Sequence, residues 1–360
     1  MQYADVSNWL CSTSKLRLSQ TKTLSVLVFA ALHTVRLTLA ELGRVMSRQQ
    51  PIAAKHCIKR LDRFLANHRI EPSAAMEGLI KWLALPRKQL LISMDWVDVR
   101  QWHCLVLAAR YKGRAIPLLW AAYEYEQLFR SQNNYEYGLL LLLRSMIPAS
   151  TQVVILADRG FGRAEMARRL QKMGFSYIIR IQPDVWLRHP DYTGKLIDMP
   201  IRNSGSYMLR DVMYRKKCPV KQHIAILWPK GSDQPWFLMT NLPRIQPQKL
   251  SKIFSRRMTI EEYFRDCKSK RNGFALRLSM IRSDARRLER LLLIAAMAYW
   301  LLIAIGLYSL SNYSAAHWNS SSRNQCSLFT IGRHMLWMIM PDLPDLMKNM
   351  RKSLLTQNWG

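Results

Sequence analysis

Three carboxylates in this 360-residue chain stand where a carboxylate is costly or crowded. Asp95 interrupts the apolar run "LLISMDWV", and Asp158 ends another, "VVILAD". An unpaired charge on a buried strand is destabilising unless a partner, a shifted pKa or a metal compensates it. Taken singly, each aspartate reads as a strand-end or turn residue. On neighbouring strands the two would repel, each raising the other's pKa, unless a divalent cation lay between them. The third, Glu261, sits beside Glu262 in "FSRRMTIEEYFRDCKSK", a strongly cationic stretch from Phe254 to Lys270. At about 100° per residue, Phe254, Arg257, Glu261 and Lys268 share one helical face. Ile253, Ile260, Phe264 and Cys267 form the adjoining apolar arc, and Glu262 and Asp266 are expected to point toward solvent, Glu262 by local chance or for solubility. The ordinary account of Arg257 and Glu261 is an i, i+4 ion pair worth a few tenths of a kcal/mol. The chemical account is three acids on one metal centre.

The elements that must position these groups follow from hydrophobic period. "LLISMDWVDV" (90–99), "HCLVLAARY" (103–111) and "AIPLLWAAYE" (115–124) are apolar runs of strand length separated by short polar turns, which predicts an antiparallel meander. "YEYGLLLLLRSMI" (135–147) reads as a helix, "TQVVILAD" as a buried strand, "RAEMARRLQKMG" (163–174) as a helix and "FSYIIRIQ" as a further strand. This order predicts an α/β fold, a mixed sheet with helices on both faces. Residues 183–244 are β-rich and punctuated by turns, as in an inserted or appended sheet. Residues 22–85 read as helices. In "QQPIAAKHCIKRLDRFLAN", Cys57, Ile58, Leu61, Phe64 and Leu65 fall on one arc, and Lys55, His56, Lys59, Arg60 and Arg63 on another. That cationic face is either a solvated surface or the second helix of a DNA-binding helix-turn-helix unit.

The chain has 54 Lys and Arg against 24 Asp and Glu, a formal charge of +30, so a polyanion is the natural partner, with anionic lipid as the other candidate. An apolar share of 49% can fill a large core, which excludes wholesale disorder. The six cysteines form no CxxC pair and no Cys/His cluster of zinc-ligand spacing, as expected of reduced thiols. "MQYADVSNWLCSTSK" lacks the basic start and apolar core of a secretory signal. "LLLIAAMAYWLLIAIGLYSL" (291–310) is uncharged and long enough to cross a bilayer, and reads either as a spanning helix or as one buried on all sides.

With an Asp in the first strand, an Asp at the end of the fourth and a Glu on a later helix beyond a β-rich interruption, the chain resembles the DDE transposases of bacterial insertion sequences. Their catalytic core is ribonuclease-H-like. One branch carries a Tyr, Arg, Glu, Lys signature with the Arg three after the Tyr, the Glu four after the Arg and the Lys seven after the Glu. Arg257, Glu261 and Lys268 keep those intervals. Phe254 stands in place of the Tyr, keeping the ring and losing the hydroxyl. The resemblance covers residues 90–273 well and the flanking helices more loosely.

It implies a transposase that binds its element ends, cleaves DNA and transfers the strand to target DNA. Asp95, Asp158 and Glu261 would hold two Mg²⁺ ions, replaceable by Mn²⁺, while Phe254, Arg257 and Lys268 would contact DNA, as would Lys55, Lys59, Arg60 and Arg63 from the N-terminal helices. The implied organisation is a helical DNA-binding domain (1–85), a catalytic core (86–182 and 245–310), a β-rich insertion (183–244) and a C-terminal helical region (311–360). It further implies double-stranded DNA as partner, a dimer when DNA-bound, no membrane, and a cytoplasmic, nucleoid-associated bacterial protein. The apolar segment becomes a core helix. A nuclease without strand joining, a catalytically inactive DNA-binding relative and, more remotely, a basic membrane protein remain the alternatives.

Overall fold

The computed structural model describes every residue except 1, 35, 50, 86–88, 201–204, 229–233, 271–272, 279–280, 282–283, 319–325, 340–341 and 356–360. Helices come first: α1 (Tyr3–Thr13), α2 (Leu18–Leu32), α3 (Leu39–Gln49), α4 (Ala54–Ala66) and α5 (Pro72–Ala84). Helical structure thus starts earlier than the sequence periodicity predicts, because α1 buries only Val6, Trp9 and Leu10 and shows a weak apolar repeat. In α4 the predicted division holds: Cys57, Leu61, Phe64 and Leu65 are buried, while Lys55, Lys59 and Arg63 are exposed. Helix α3 packs closely on α4 at Gly43, where a Cβ would come within 2.3 Å of the Ile58 side chain.

A three-stranded meander follows, β1 (Gln89–Val99), β2 (Trp102–Tyr111) and β3 (Arg114–Tyr123), then α6 (Tyr125–Leu128), α7 (Gln132–Met146), β4 (Gln152–Ala157), α8 (Ala164–Lys172) and β5 (Ser176–Arg180). Strands β1, β4 and β5 run parallel, with β2 and β3 antiparallel on the far side of β1. The β-rich segment supplies β6 (Trp186–His189), β7 (Tyr192–Lys195), β8 (Ser206–Tyr214), β9 (Val220–Leu227) and β10 (Trp236–Thr240). These strands extend the central sheet instead of forming a separate one: β10 pairs antiparallel with β5, and the ten strands run β3-β2-β1-β4-β5-β10-β9-β8-β6-β7.

The chain returns to helix in α9 (Pro247–Phe254) and α10 (Thr259–Lys268), then α11 (Ala285–Asn312), α12 (Leu328–Met335) and α13 (Leu343–Leu355). Alternation along the strands sends side chains to opposite faces. Leu91, Val154, Leu156 and Ile178 meet Leu250, Ile253 and Phe254 of α9 on one face, whereas Ile155 and Ile179 join the main core on the other, where α8 packs on β5. The apolar segment is the centre of α11, and 94% of its most apolar stretch is buried. It packs on α2, α4, β3, α12 and α13, so it is a core helix of this fold. Arg290 on α11 is buried and donates from Nε to the Ile70 carbonyl at 3.1 Å and from Nη1 to that of Leu65 at 2.9 Å. A guanidinium there satisfies the Leu65 carbonyl at the C-terminal end of α4, complementing its dipole, and the Ile70 carbonyl in the connection to α5. The core therefore runs without interruption from the N-terminal helices into the sheet domain.

Candidate active site

Residues Ser93 and Leu156 are register partners on β1 and β4, followed by Met94 and Ala157. One step further the same register sets Asp95 beside Asp158, which keeps extended backbone (φ −85°, ψ −178°) past the strand end. Both therefore continue the face that α9 and α10 cover. The ends of parallel strands are where an open α/β sheet leaves room for a site.

The third carboxylate arrives from α10, and the helix carrying it is not continuous. Residues Ser255–Met258 form a 3-10 turn between α9 and α10. A 3-10 turn advances about 120° per residue against about 100° in an α-helix, so phase is lost across it. Phe254, expected on the Glu261 face and in contact with DNA, is 5% exposed instead and lies edge-on to Trp236 at 5.9 Å, inside the apolar cluster under α9. Arg257 and Glu261 keep their i, i+4 relation.

Arg257 is the hub. Its Nη1 donates to Asp95 Oδ2 at 3.1 Å and its Nη2 to Glu261 Oε1 at 2.8 Å, with Asp158 Oδ2 at 4.0 Å. The three acids singled out from sequence thus converge, from three elements, on one buried guanidinium. Burial pushes the Asp95 carboxyl up to about 6, against the pull of Arg257 and the Trp96 N–H, and nearby Asp158 and Glu261 push it the same way. Glu261 remains half-exposed.

The fit to a metal can be judged from these donors. Carboxylate oxygens suit a hard divalent cation such as Mg²⁺ or Mn²⁺. Asp158 Oδ1 is buried with no hydrogen-bond partner among the described residues, so one hard donor is free. No group of three or more His, Cys, Asp or Glu side chains is close enough to hold a metal ion among the described residues. The guanidinium stands where the three acids meet and serves as their counter-charge. The donor chemistry fits; the spacing is that of acids gathered on Arg257.

Two expectations about α10 are corrected. Asp266 does not face solvent: it is buried, accepting from Tyr299 Oη at 3.0 Å and pairing with Arg114 Nε at 3.0 Å. Burial raises its pKa to about 6, against Arg114. Glu262 is half-buried and pairs with Arg114 at 3.3 Å and Arg265 at 3.1 Å. Its side chain therefore helps dock α10 on β3, which local chance or solubility does not describe. The outer arc of α10 meets a second layer, β3 and α11, that a helical wheel cannot display.

Lys268 closes α10, half-buried, with its pKa lowered by burial and by Arg277. Seven residues of helix put it about 10 Å along the axis from Glu261. Arg60, on α4, is half-buried and donates to Thr23 Oγ1 at 3.3 Å. Sequence reasoning missed Arg180, which follows Ile179, the partner of Ala157, and so lies beside Asp158. Its guanidinium lies 5.9 Å from the Trp236 ring centre. The signal was present: an arginine ends the apolar run of β5 as Asp158 ends that of β4.

Residues 125–301 match the family model described as the transposase DDE domain. The matched stretch contains Asp158, Arg257, Glu261 and Lys268, and Asp95 precedes it. No curated protein matches the chain. The mixed sheet with helices on both faces is consistent with a ribonuclease-H-like DDE transposase fold, and the match supports a DDE transposase family for this chain.

Proposed function

We propose that this protein is an insertion-sequence transposase of the Tyr-Arg-Glu-Lys branch that binds its element ends, cleaves the DNA there and joins those ends to target DNA. The observation that carries this reading is the convergence of Asp95, Asp158 and Glu261 on Arg257. Asp95, Asp158 and Glu261 are the residues that would hold divalent ions, Mg²⁺ or Mn²⁺. When bound, such ions would activate the attacking oxygen and stabilise the leaving oxygen at phosphorus.

The chain's own residues prepare that chemistry. Arg257 holds the acids together against their mutual repulsion, and a cation taken up by them would leave its planar donor fork for a phosphate. Arg180 adds a second guanidinium at the same sheet edge. Lys268 contributes a point charge further along α10. The exposed Lys55, Lys59 and Arg63, with Arg60 partly covered beside them, supply phosphate contacts that carry affinity without reading sequence. Residues 1–85 are assigned to DNA binding, 86–182 and 245–310 to catalysis, 183–244 to the β-rich insertion and 311–360 to a C-terminal helical region. The working form is a dimer on DNA, cytoplasmic and nucleoid-associated.

Purified protein incubated with DNA carrying the element ends and Mg²⁺, its products resolved as nicked, hairpin or joined strands, tests the proposal. Joined products support it, cleavage without joining makes the protein a nuclease, and binding without Mg²⁺-dependent cleavage makes it an inactive relative.

A further inference from the structure

On the sheet face away from α9 and α10, one carboxylate is tied to both aspartate-bearing segments. Glu136, on α7, has a side chain with no exposed surface. Its Oε1 accepts from Trp96 Nε1 at 3.1 Å and from Gln132 Nε2 at 3.2 Å, and its Oε2 accepts from Arg163 Nη2. Trp96 follows Asp95 on β1. Arg163 precedes α8, and its Nη1 donates to the Gly160 carbonyl at 2.6 Å, inside the 3-10 turn Arg159–Phe161 that begins directly after Asp158. Trp96, the neighbour of Asp95, and Arg163, which holds the turn after Asp158, therefore meet at one buried anion. A carboxylate this deep is tolerated only because each oxygen is satisfied, and removing a partner leaves the others buried and unpaired. Such a network transmits position: Trp96 cannot shift without moving the pleat that aims Asp95, nor Arg163 without moving the turn that follows Asp158.

We propose that Glu136 is a positioning residue that sets the spacing of Asp95 and Asp158 from the opposite face of the sheet. The inference rests on the reading of those aspartates as cation ligands. Partners that orient metal ligands typically change metal affinity by about 10- to 100-fold when removed, so about tenfold is expected here.

The test uses the full chain, two variants of the network and Asp95→Asn as a control. Glu136→Gln keeps the volume and an acceptor for Trp96 but removes the ion pair, and Arg163→Met removes the same pair from the other side. Mn²⁺ affinity is measured by electron paramagnetic resonance of the free ion, and hydrogen exchange is followed in metal-free protein. The expected result is about tenfold weaker Mn²⁺ binding in both variants, with faster exchange confined to peptides covering Trp96 and residues 159–163 while α11 is unchanged. Uniformly faster exchange including α11 would make Glu136 a general packing residue and overturn the proposal. Unchanged Mn²⁺ affinity despite locally faster exchange would overturn it too. Wild-type Mn²⁺ binding indifferent to Asp95→Asn would refute the cation-ligand reading instead, and the exchange pattern would then decide whether Glu136 holds the turn.

Discussion

Asp95→Asn should change how the metal-free protein's stability depends on pH. The Asp95 carboxyl is raised from 3.8 to about 6 in the folded chain, chiefly by burial. Between those values the folded state keeps a proton that the unfolded state has released, so stability falls as pH rises, an effect absent below about pH 4 and complete above about pH 6. Asparagine carries no such proton. A shift of about two units is worth about 3 kcal/mol at about 1.4 kcal/mol per unit, an upper bound because the side chain is 22% exposed. Urea denaturation with chelator from pH 4 to 7 should therefore show wild type losing ground to Asp95→Asn by about 1 to 3 kcal/mol. Pairs elsewhere, such as the one at Asp266, titrate in both proteins and cancel. A difference independent of pH would refute the burial argument. Wild type gaining on the variant as pH rises would mean that the Arg257 pair outweighs desolvation. Added Mn²⁺ at pH 7 should stabilise wild type and leave the variant nearly unchanged.

Asp158→Asn and Glu261→Gln should each remove most cleavage and joining while leaving DNA binding intact, whereas Glu262→Gln should retain activity and cost about 0.5–1 kcal/mol of stability through its partly exposed pair with Arg114, as urea midpoints would show. Replacing Lys55, Lys59 and Arg63 together with Ala should flatten the dependence of log K on log salt by up to about three units, near 0.9 per contact, and an unchanged slope would mark the face as merely solvated. Gly306→Ala should destabilise the fold by several kcal/mol, because a Cβ there would lie 2.0 Å from the Leu328 carbonyl oxygen where α11 crosses α12, and a thermal midpoint within about 2 °C of wild type would contradict that crossing.

Which parts of this protein its sequence decided by itself follows from the range of the forces involved. Strands β1 to β5 and the amphipathic face of α4 were legible because period and apolarity are local properties. Asp95 and Asp158 stood out because a carboxylate in an apolar strand conflicts with its immediate neighbours, and the Arg257–Glu261 pair because four residues make a turn. The role of the apolar run in α11 depended on what surrounds it, and only packing by α2, α4, β3, α12 and α13 makes it a core helix. The 3-10 turn at Ser255–Met258 put Phe254 into the core because α9 and α10 dock on different parts of one sheet face. Asp266 was buried by β3 and α11, elements distant in sequence. The insertion joined the central sheet because β5 offered β10 an unpaired edge. Glu136 carries no local signal in the sequence, because its partners Trp96 and Arg163 reach it from 40 and 27 residues away. Burial and long-range pairing are sums over neighbours that the chain acquires only by folding, so they belong to the tertiary structure alone.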